Sequence, residues 1–307
     1  MKITLLSTTL RESEFLEPMS LFAERAAERG HDCVLVRYGE IGLRLSSTAE
    51  VSIWGEGAAA LQQADVIVPR LSLRRMTRNE LYLLEYLEET GVPFINSIAA
   101  WQLARNKLSA LNRCRQAGLP VPATVVVRQL DQLAAAVRHL GAGPWVVKPA
   151  MGSQGRDISL VKTLDELARE FAGRWEEDRN EILLLQEFLA AAGGRSWDLR
   201  VFVLLGEVLG AMKRISVADD FRANYSLGAI IEPAPLSDEL KQLARQAAAV
   251  LDLDMAGVDM MLPQRGPVLI EVNANPGWEG ITGAMAEAGQ DFPTAFLEVL
   301  ERHFGPA

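Results

Sequence analysis

Two cysteines are a small supply for 307 residues. Cys33 and Cys114 stand far apart with no ligand-like spacing, which argues against a disulfide scaffold and against a zinc site. His31, His139 and His303 are scattered, and no Ser/His/Asp or Cys/His nucleophile set assembles around them. They read as surface or structural residues. Positive charge is also short: 31 Lys and Arg against 40 Asp and Glu give a formal net charge of −9. A chain without a basic field is not expected to bind nucleic acid or an anionic membrane surface non-specifically. No apolar run approaches the ~18 residues of a membrane span. The opening MKITLLSTTLRESE runs from a short apolar stretch straight into acids, without a small-residue cleavage site, so it reads as a first strand and not a signal peptide. Repeats, low-complexity tracts and long linkers are missing. What remains, 49% hydrophobic and 23% charged, is the composition of a globular protein with room for two or three domains, expected in the cytoplasm.

Along the chain, KITLLS, DCVLVRYG, ADVIVPRLS and VPFINS read as four strands. FLEPMSLFAERAAERG and RNELYLLEYLEETG, both closed by glycine, read as helices between them. Strands alternating with helices predict a parallel sheet over roughly the first hundred residues. SIAAWQLARNKLSALNRCRQAG then predicts one helix stopping at GLPVP. PWVVKPAMGSQGRDISLV reads as strand, glycine loop, strand, and TLDELAREFAGRWEE as a helix with Thr163 at its N-cap. Past residue 190, DLRVFVLLGEVLGAMKRIS predicts a hairpin around Gly206, DELKQLARQAAAVLDL a helix, and AGVDMMLPQRGPVLIEVNANPG a second hairpin.

That second hairpin carries acid where a buried strand should be apolar. Glu271 and Asn273 are two apart and share a face. Asp259 joins them with a five-residue loop over 263–267; a four-residue loop would send it to the other face. Together these oxygen donors suit Mg²⁺, with solvated surface residues as the alternative. Lys148 closes an apolar strand just before the loop PAMGSQG, where Gly152, Ser153, Gln154 and Gly155 could cradle phosphate; a plain turn is an equal alternative from the residues alone. The loop is neither a Walker motif nor GxGxxG. Lys107 in RNKL is a second cation, although a lone helical lysine is usually solvated. Gln186 and Glu187 end the strand LLLQE, where strand-end backbone could meet an adenine edge. Asp198 and Arg200 share a face, with Lys213, Arg214, Arg222 and Asn224 following.

The order of Lys107, the Lys148–glycine loop, QEFL, DLRVFV, AMKR, DFRAN, AGVDMM and VLIEVNANPGWEGI resembles the ATP-grasp ligases, more narrowly the RimK-type branch, over about 95–285. That branch also includes carrier-protein ligases of lysine biosynthesis and cofactor glutamyl ligases. The resemblance implies an α/β (α+β) ATP-grasp fold of three small domains: N-terminal 1–97, central 98–190 and C-terminal 191–307. ATP would lie between the last two. It implies two Mg²⁺ ions, or Mn²⁺, on Asp259, Glu271 and Asn273. Lys107 and Lys148 would meet the phosphates. Gln186, Glu187 and Phe188 would lie on the adenine side, and Asp198 on the ribose side. Arg222, Ala223 and Asn224 would line the nucleotide site, and Arg200 and Arg214 would hold an acyl phosphate. The implied activity is ADP-forming carboxylate–amine ligation, with glutamate or another amino acid joined to a protein, peptide or cofactor by a dimeric or tetrameric enzyme. The alternatives are a ligase that cross-links a precursor peptide and a nucleotide-binding regulator without chemistry. Where the ribosomal-protein ligases read Asn-Leu-His-Arg-Gly-Gly, this chain has NYSLGA, with Leu227 at the arginine position.

Overall fold

Alternating apolar strands and amphipathic helices build an N-terminal layer as expected. The computed structural model describes residues 1–7, 16–44, 52–70, 78–152, 157–190, 196–217, 222 and 228–305. In chain order the first segment holds β1 (Lys2–Ser7), α1 (Leu16–Glu28), β2 (Asp32–Arg37), β3 (Gly42–Arg44), β4 (Ser52–Trp54), α2 (Ala58–Gln62), β5 (Val66–Arg70) and α3 (Arg78–Glu88). β2, β1 and β5 form a parallel sheet in that order. The fourth strand expected at VPFINS reduces to one bridge, Phe94 against Ile67. Pro93 has no N–H to extend a ladder there; its carbonyl accepts from Ile67, and the Ile95 N–H returns to the Ile67 carbonyl. The β3–β4 ribbon was not legible in the sequence.

The single helix expected after residue 97 is two: α4 (Ile98–Arg105) and α5 (Lys107–Gln116). Asn106 breaks it, with φ −88° and ψ 105°, and its side chain caps α5 by accepting from the Ser109 N–H. The break places Lys107 at the first helical position, where the dipole disfavours a cation, and lets its N–H reach the Ala150 carbonyl.

The next segment holds β6 (Thr124–Val127), α6 (Leu133–Leu140), β7 (Trp145–Pro149), β8 (Ser159–Val161), α7 (Leu164–Glu177) and β9 (Leu183–Glu187). Its antiparallel sheet runs β6-β9-β7-β8. Thr163 caps α7 as expected, accepting from Glu166 N. The last segment holds β10 (Trp197–Leu204), β11 (Glu207–Ile215), β12 (Ile230–Pro233), α8 (Asp238–Val250), β13 (Met255–Met261), β14 (Val268–Asn273), α9 (Glu279–Glu287) and α10 (Phe292–Phe304). Its sheet runs β12-β11-β10-β13-β14. The β10–β11 turn uses Leu205 and Gly206 at φ 47° and 79°, the left-handed pair of a tight hairpin.

The apolar cores do not follow the chain order. Val127, Leu133, Phe171, Trp175 and Leu185 form a core belonging to the central sheet alone. The N-terminal sheet instead shares both of its faces with the C-terminal segment. Leu6, Leu84 and Trp101 cluster with Val201, Leu251 and Leu269. On the other face, Ile3 and Phe22 cluster with Phe202, Trp278 and Phe296.

Glu301 on α10 ties the two ends of the chain. It takes two hydrogen bonds from Arg29, both at 2.7 Å, and lies 2.7 Å from His31 Nε2. These bonds, Arg29 first, hold its carboxyl down at about 2 against a small burial effect. A depressed acid stabilises the fold above its unfolded value of about 4.3 and loses that contribution as pH falls toward the folded value. Glu301→Gln is therefore expected to lower the melting temperature by about 2 °C at pH 7, the effect of a partly exposed pair on a chain of this size. The gap between the proteins should close from pH 5 to pH 2. A gap that stays constant across that range would show that the pairing adds nothing to stability.

Candidate functional site

Asp259 lies opposite Glu271 in the β13–β14 ladder, and Gly257 opposite Asn273. The expected five-residue loop is not how the hairpin achieves this. Met261 pairs with Val268, so the loop spans six residues, 262–267, and by itself would set Asp259 against Ile270. A bulge beyond Met260 passes over Ile270 and restores the Asp259–Glu271 pair. The three oxygen-bearing side chains converge: Asn273 Nδ2 lies 3.4 Å from Asp259 Oδ2. Gly257 admits the chain that follows, since a Cβ there would meet the Pro276 ring at 2.7 Å. Among the described residues no three acidic, histidine or cysteine side chains form a metal cluster. The set is two carboxylates and an amide, hard donors that fit Mg²⁺.

The β10 register places Asp198 across from Arg214 and Arg200 across from Asp259. The resulting chain of charges is bidentate at both ends. Arg214 donates to Asp198 at 2.6 and 2.7 Å, and Arg200 donates to Asp259 at the same distances. Arg214 Nη2 also lies 2.9 Å from Asp259 Oδ2. All but Arg200 are more than nine-tenths buried. Burial pushes both carboxyls up. At Asp259 the guanidiniums of Arg200 and Arg214 outweigh it and hold the group below its ordinary range, whereas Asp198 stays raised despite Arg214, helped up by nearby Asp259. Burial would lower Arg214, but Asp198 and Asp259 carry it above its usual value. Arg200 and Arg214, expected to face phosphate, thus already hold carboxylate partners, because a buried cation needs a counter-charge.

The two lysines differ. Lys107 Nζ donates to the Gly152 carbonyl at 2.6 Å and pairs with Glu271 Oε1 at 3.0 Å. Lys148, only 3% exposed, has no carboxylate within ion-pair distance among the described residues. Burial, with Lys107 adding repulsion, brings it down to about 8 against the pull of Glu271 and Asp259.

Several of these groups line a cleft of about 810 Å³, open mouth included, between the central and C-terminal sheets. Lys148, Asp198, Arg214, Arg222, Asp259 and Glu271 face it, beside apolar Val146, Ile158, Met261 and Ile270. Gln186, Glu187 and Phe188 edge it. Gln186 Nε2 donates to Thr124 Oγ1, and the Glu187 carboxylate is held by Arg265 and the Ala123 N–H. The Glu187 N–H is bonded to the Ala123 carbonyl. Ser153, Gln154, Gly155, Ala223, Asn224 and Leu227 lie outside the described residues, and with them three of the four loop residues expected to cradle phosphate.

Sequence reading missed the residues that fix the acidic hairpin. Buried Asn96 donates to the Met255 and Ala274 carbonyls, both at 2.7 Å, and accepts from the Met255 N–H, tying the start of β13 to the end of β14. Buried Arg70, its guanidinium carbon 4.3 Å from the Trp278 ring centre, donates to the Pro276 carbonyl just after that hairpin. The sequence signal for both was slight: one polar residue closing an apolar run.

Two antiparallel sheets gripping a charged cleft define the ATP-grasp fold. Solved structures of that fold match nearly the whole chain. The ATP-grasp ligase PsnB complexed with its minimal precursor superposes with a TM-score of 0.72 at 21% identity, covering 98% of each chain. A RimK domain ATP-grasp protein from Sphaerobacter thermophilus gives 0.67 at 22%, covering 97% of this chain and 98% of that one. The model of the RimK-like ATP-grasp domain matches residues 104–290, well over half of the chain, and the protein belongs to that family. Relatives include a probable alpha-L-glutamate ligase of Shewanella pealeana, 30% identical over 92% of this chain and 60% of its own length. A protein of the same description from Methanococcoides burtonii is 31% identical over 98% and 96%. The ribosomal protein bS6–L-glutamate ligase of Salmonella paratyphi B is 31% identical over 92% and 91%. The chain thus spans about 60% of the length of the first of these relatives.

Proposed function

We propose that this protein is an ADP-forming carboxylate–amine ligase that joins glutamate or another amino acid to a protein or peptide in the cytoplasm. The observation that carries it is the cleft that sets Lys148, buried and without a carboxylate partner among the described residues, beside the Asp259–Glu271 pair. Such a site is short of negative charge at one end and rich in it at the other, which suits a polyphosphate together with its metal. Asp259, Glu271 and Asn273 would hold Mg²⁺, two ions in the fullest form, which when bound neutralises charge on the phosphates. ATP would lie between the central segment, 98–190, and the C-terminal segment, 191–307. Lys107 and Lys148 would meet its phosphates, and Phe188 would edge the base. A substrate carboxylate oxygen attacks the γ-phosphorus, and the bridging P–O bond breaks with its electron pair leaving on ADP. An amine nitrogen then attacks the acyl carbon, the bond to the phosphoryl oxygen breaks, phosphate leaves, and the nitrogen loses a proton. Arg200 and Arg214, which already hold Asp259 and Asp198, would steady the charge on the acyl phosphate.

The related ligase from Salmonella acts on a ribosomal protein, and PsnB is solved with its precursor, so peptide acceptors come first. Incubating the protein with ATP, Mg²⁺, an amino-acid panel and peptides bearing free carboxylates should release ADP. Mass spectrometry should show peptides heavier by one amino acid less water. ADP release without a new amide, in every combination, would sink the ligase reading.

A further inference from the structure

Between α5 and β6 the chain passes from one apolar core to another. Leu119 and Val121 pack against the core that the N-terminal and C-terminal segments share, and Val125 against the core of the central sheet. The crossing falls at 122–124, and Pro122 lines the cleft. Ala123, in the middle, is bonded twice to Glu187. Its N–H donates to Glu187 Oε1 at 2.7 Å, and its carbonyl accepts from the Glu187 N–H at 3.1 Å. The same carboxylate is gripped from the C-terminal sheet. Arg265, on the loop between β13 and β14, donates from Nη1 and Nη2 to Glu187 Oε2 and Oε1 at 2.9 and 2.5 Å. We infer that Arg265 is a positioning residue for nucleotide binding: through Glu187 it fixes the angle between the central and C-terminal sheets, and so the width of the cleft where Gln186, Glu187 and Phe188 edge it. This rests on that cleft being the nucleotide site.

The contact has the shape for this role. A fork of two N–H groups on two oxygens fixes direction as well as distance, which a single charge does not. Nor is the carboxylate free to swing with its partner, because the Ala123 N–H anchors it to the main chain at the crossing. The run just before is pinned as well: the Leu269 N–H of β14 donates to the Pro120 carbonyl at 2.8 Å. Apolar packing leaves the angle open, since among the described residues the central core contains no residue of the C-terminal sheet. Polar contacts at the two ends of β7 set it instead. Past Pro149, the Ala150 and Gly152 carbonyls are held by Lys107. At the other end Trp145 pairs with Glu187, the residue that Arg265 holds. Arg265 is not among the residues lining the cleft, and 53% of its side chain is exposed. Its removal therefore changes the orientation of the sheets without deleting a nucleotide contact, and costs the fold little.

Wild-type protein, Arg265→Gln and Arg265→Lys are titrated calorimetrically with a non-hydrolysable ATP analogue and Mg²⁺. Exchange of the Ala123 amide proton is followed by NMR without nucleotide. Arg265→Gln should weaken analogue binding at least about threefold, and Arg265→Lys, which keeps the charge but not the fork, should weaken it by less. The Ala123 amide should exchange faster in Arg265→Gln, while the amides of β10 and β11 keep their wild-type rates. Melting temperatures should stay within about 2 °C of wild type, which shows that each variant is folded. A smaller change in analogue binding would overturn the inference. So would weakened binding with an unchanged Ala123 amide, since Arg265 would then not act through Glu187. Full recovery in Arg265→Lys would overturn it too, because charge alone would suffice. None of these measurements needs turnover, so each such outcome leaves the ligase reading standing. Wild-type protein that binds no analogue would remove the cleft as the nucleotide site, and the role of Arg265 would fall with that reading.

Discussion

Replacing Glu271 with glutamine is expected to reduce ATP turnover at least about 30-fold, equivalent to roughly 2 kcal/mol of transition-state stabilisation, while the protein stays folded. Glutamine keeps the shape and the hydrogen-bonding edge of the side chain but loses the charge. That charge serves two partners at once: the metal proposed for the hairpin, and Lys107 at 3.0 Å. Glu271 is only partly buried, with 28% of its side chain exposed, so no deep cavity or stranded charge follows from the change. Steady-state ADP release at saturating ATP and Mg²⁺, with a melting curve beside it, reads both halves. Turnover within threefold of wild type would remove Glu271 from the metal site.

Arg214→Met should produce the largest loss of stability available from one charged residue in the C-terminal sheet. Arg214 is 3% exposed and holds two buried carboxylates, Asp198 and Asp259. Removing one partner of a buried ion pair strands the other, at about 3–5 kcal/mol. Asp198 takes the greater share, because Asp259 keeps Arg200. The double variant Arg214→Met with Asp198→Asn should recover part of the loss, since the stranded charge is then gone. Denaturant unfolding without nucleotide measures all three proteins. A loss below about 1 kcal/mol in the single variant would mean that water reaches these carboxylates and that the network is not a dry one.

Most of the strands and helices were legible because each segment states its own period. The apolar runs of β7, β9, β13 and β14, and the facing residues of α1, α7 and α8, follow local rules. The acidic hairpin was legible for the same reason, as polar residues two apart in buried-strand text. The rest depends on chemistry that local patterning does not carry. The α4–α5 break turns on Asn106 choosing to cap and on Lys107 reaching Ala150, a partner 43 positions away. The bulge at Ile270 is invisible to a reading that counts loop residues from the turn outward. The carboxylate partners of Arg200 and Arg214 were not legible, because a sequence shows charges but not the acids paired with them across a ladder. Asn96 and Arg70 each act on a segment far downstream, and nothing beside them in the chain says so.

The uneven sharing of apolar cores has a mechanical consequence. Helices α4 and α5 are welded by their side chains to the same body as β14, so Lys107 and Glu271 travel together. Lys148 rides on β7, whose packing belongs to the central sheet alone. The central sheet is accordingly the lever of the molecule and everything else its frame. Any tilt of that lever alters the reach of Lys148 toward the hairpin and leaves the Lys107–Glu271 distance fixed. The tethers such a tilt must stretch include the Asn106–Met151 bridge, the bonds from Lys107 to the Ala150 and Gly152 carbonyls, and the Arg265 hold on Glu187.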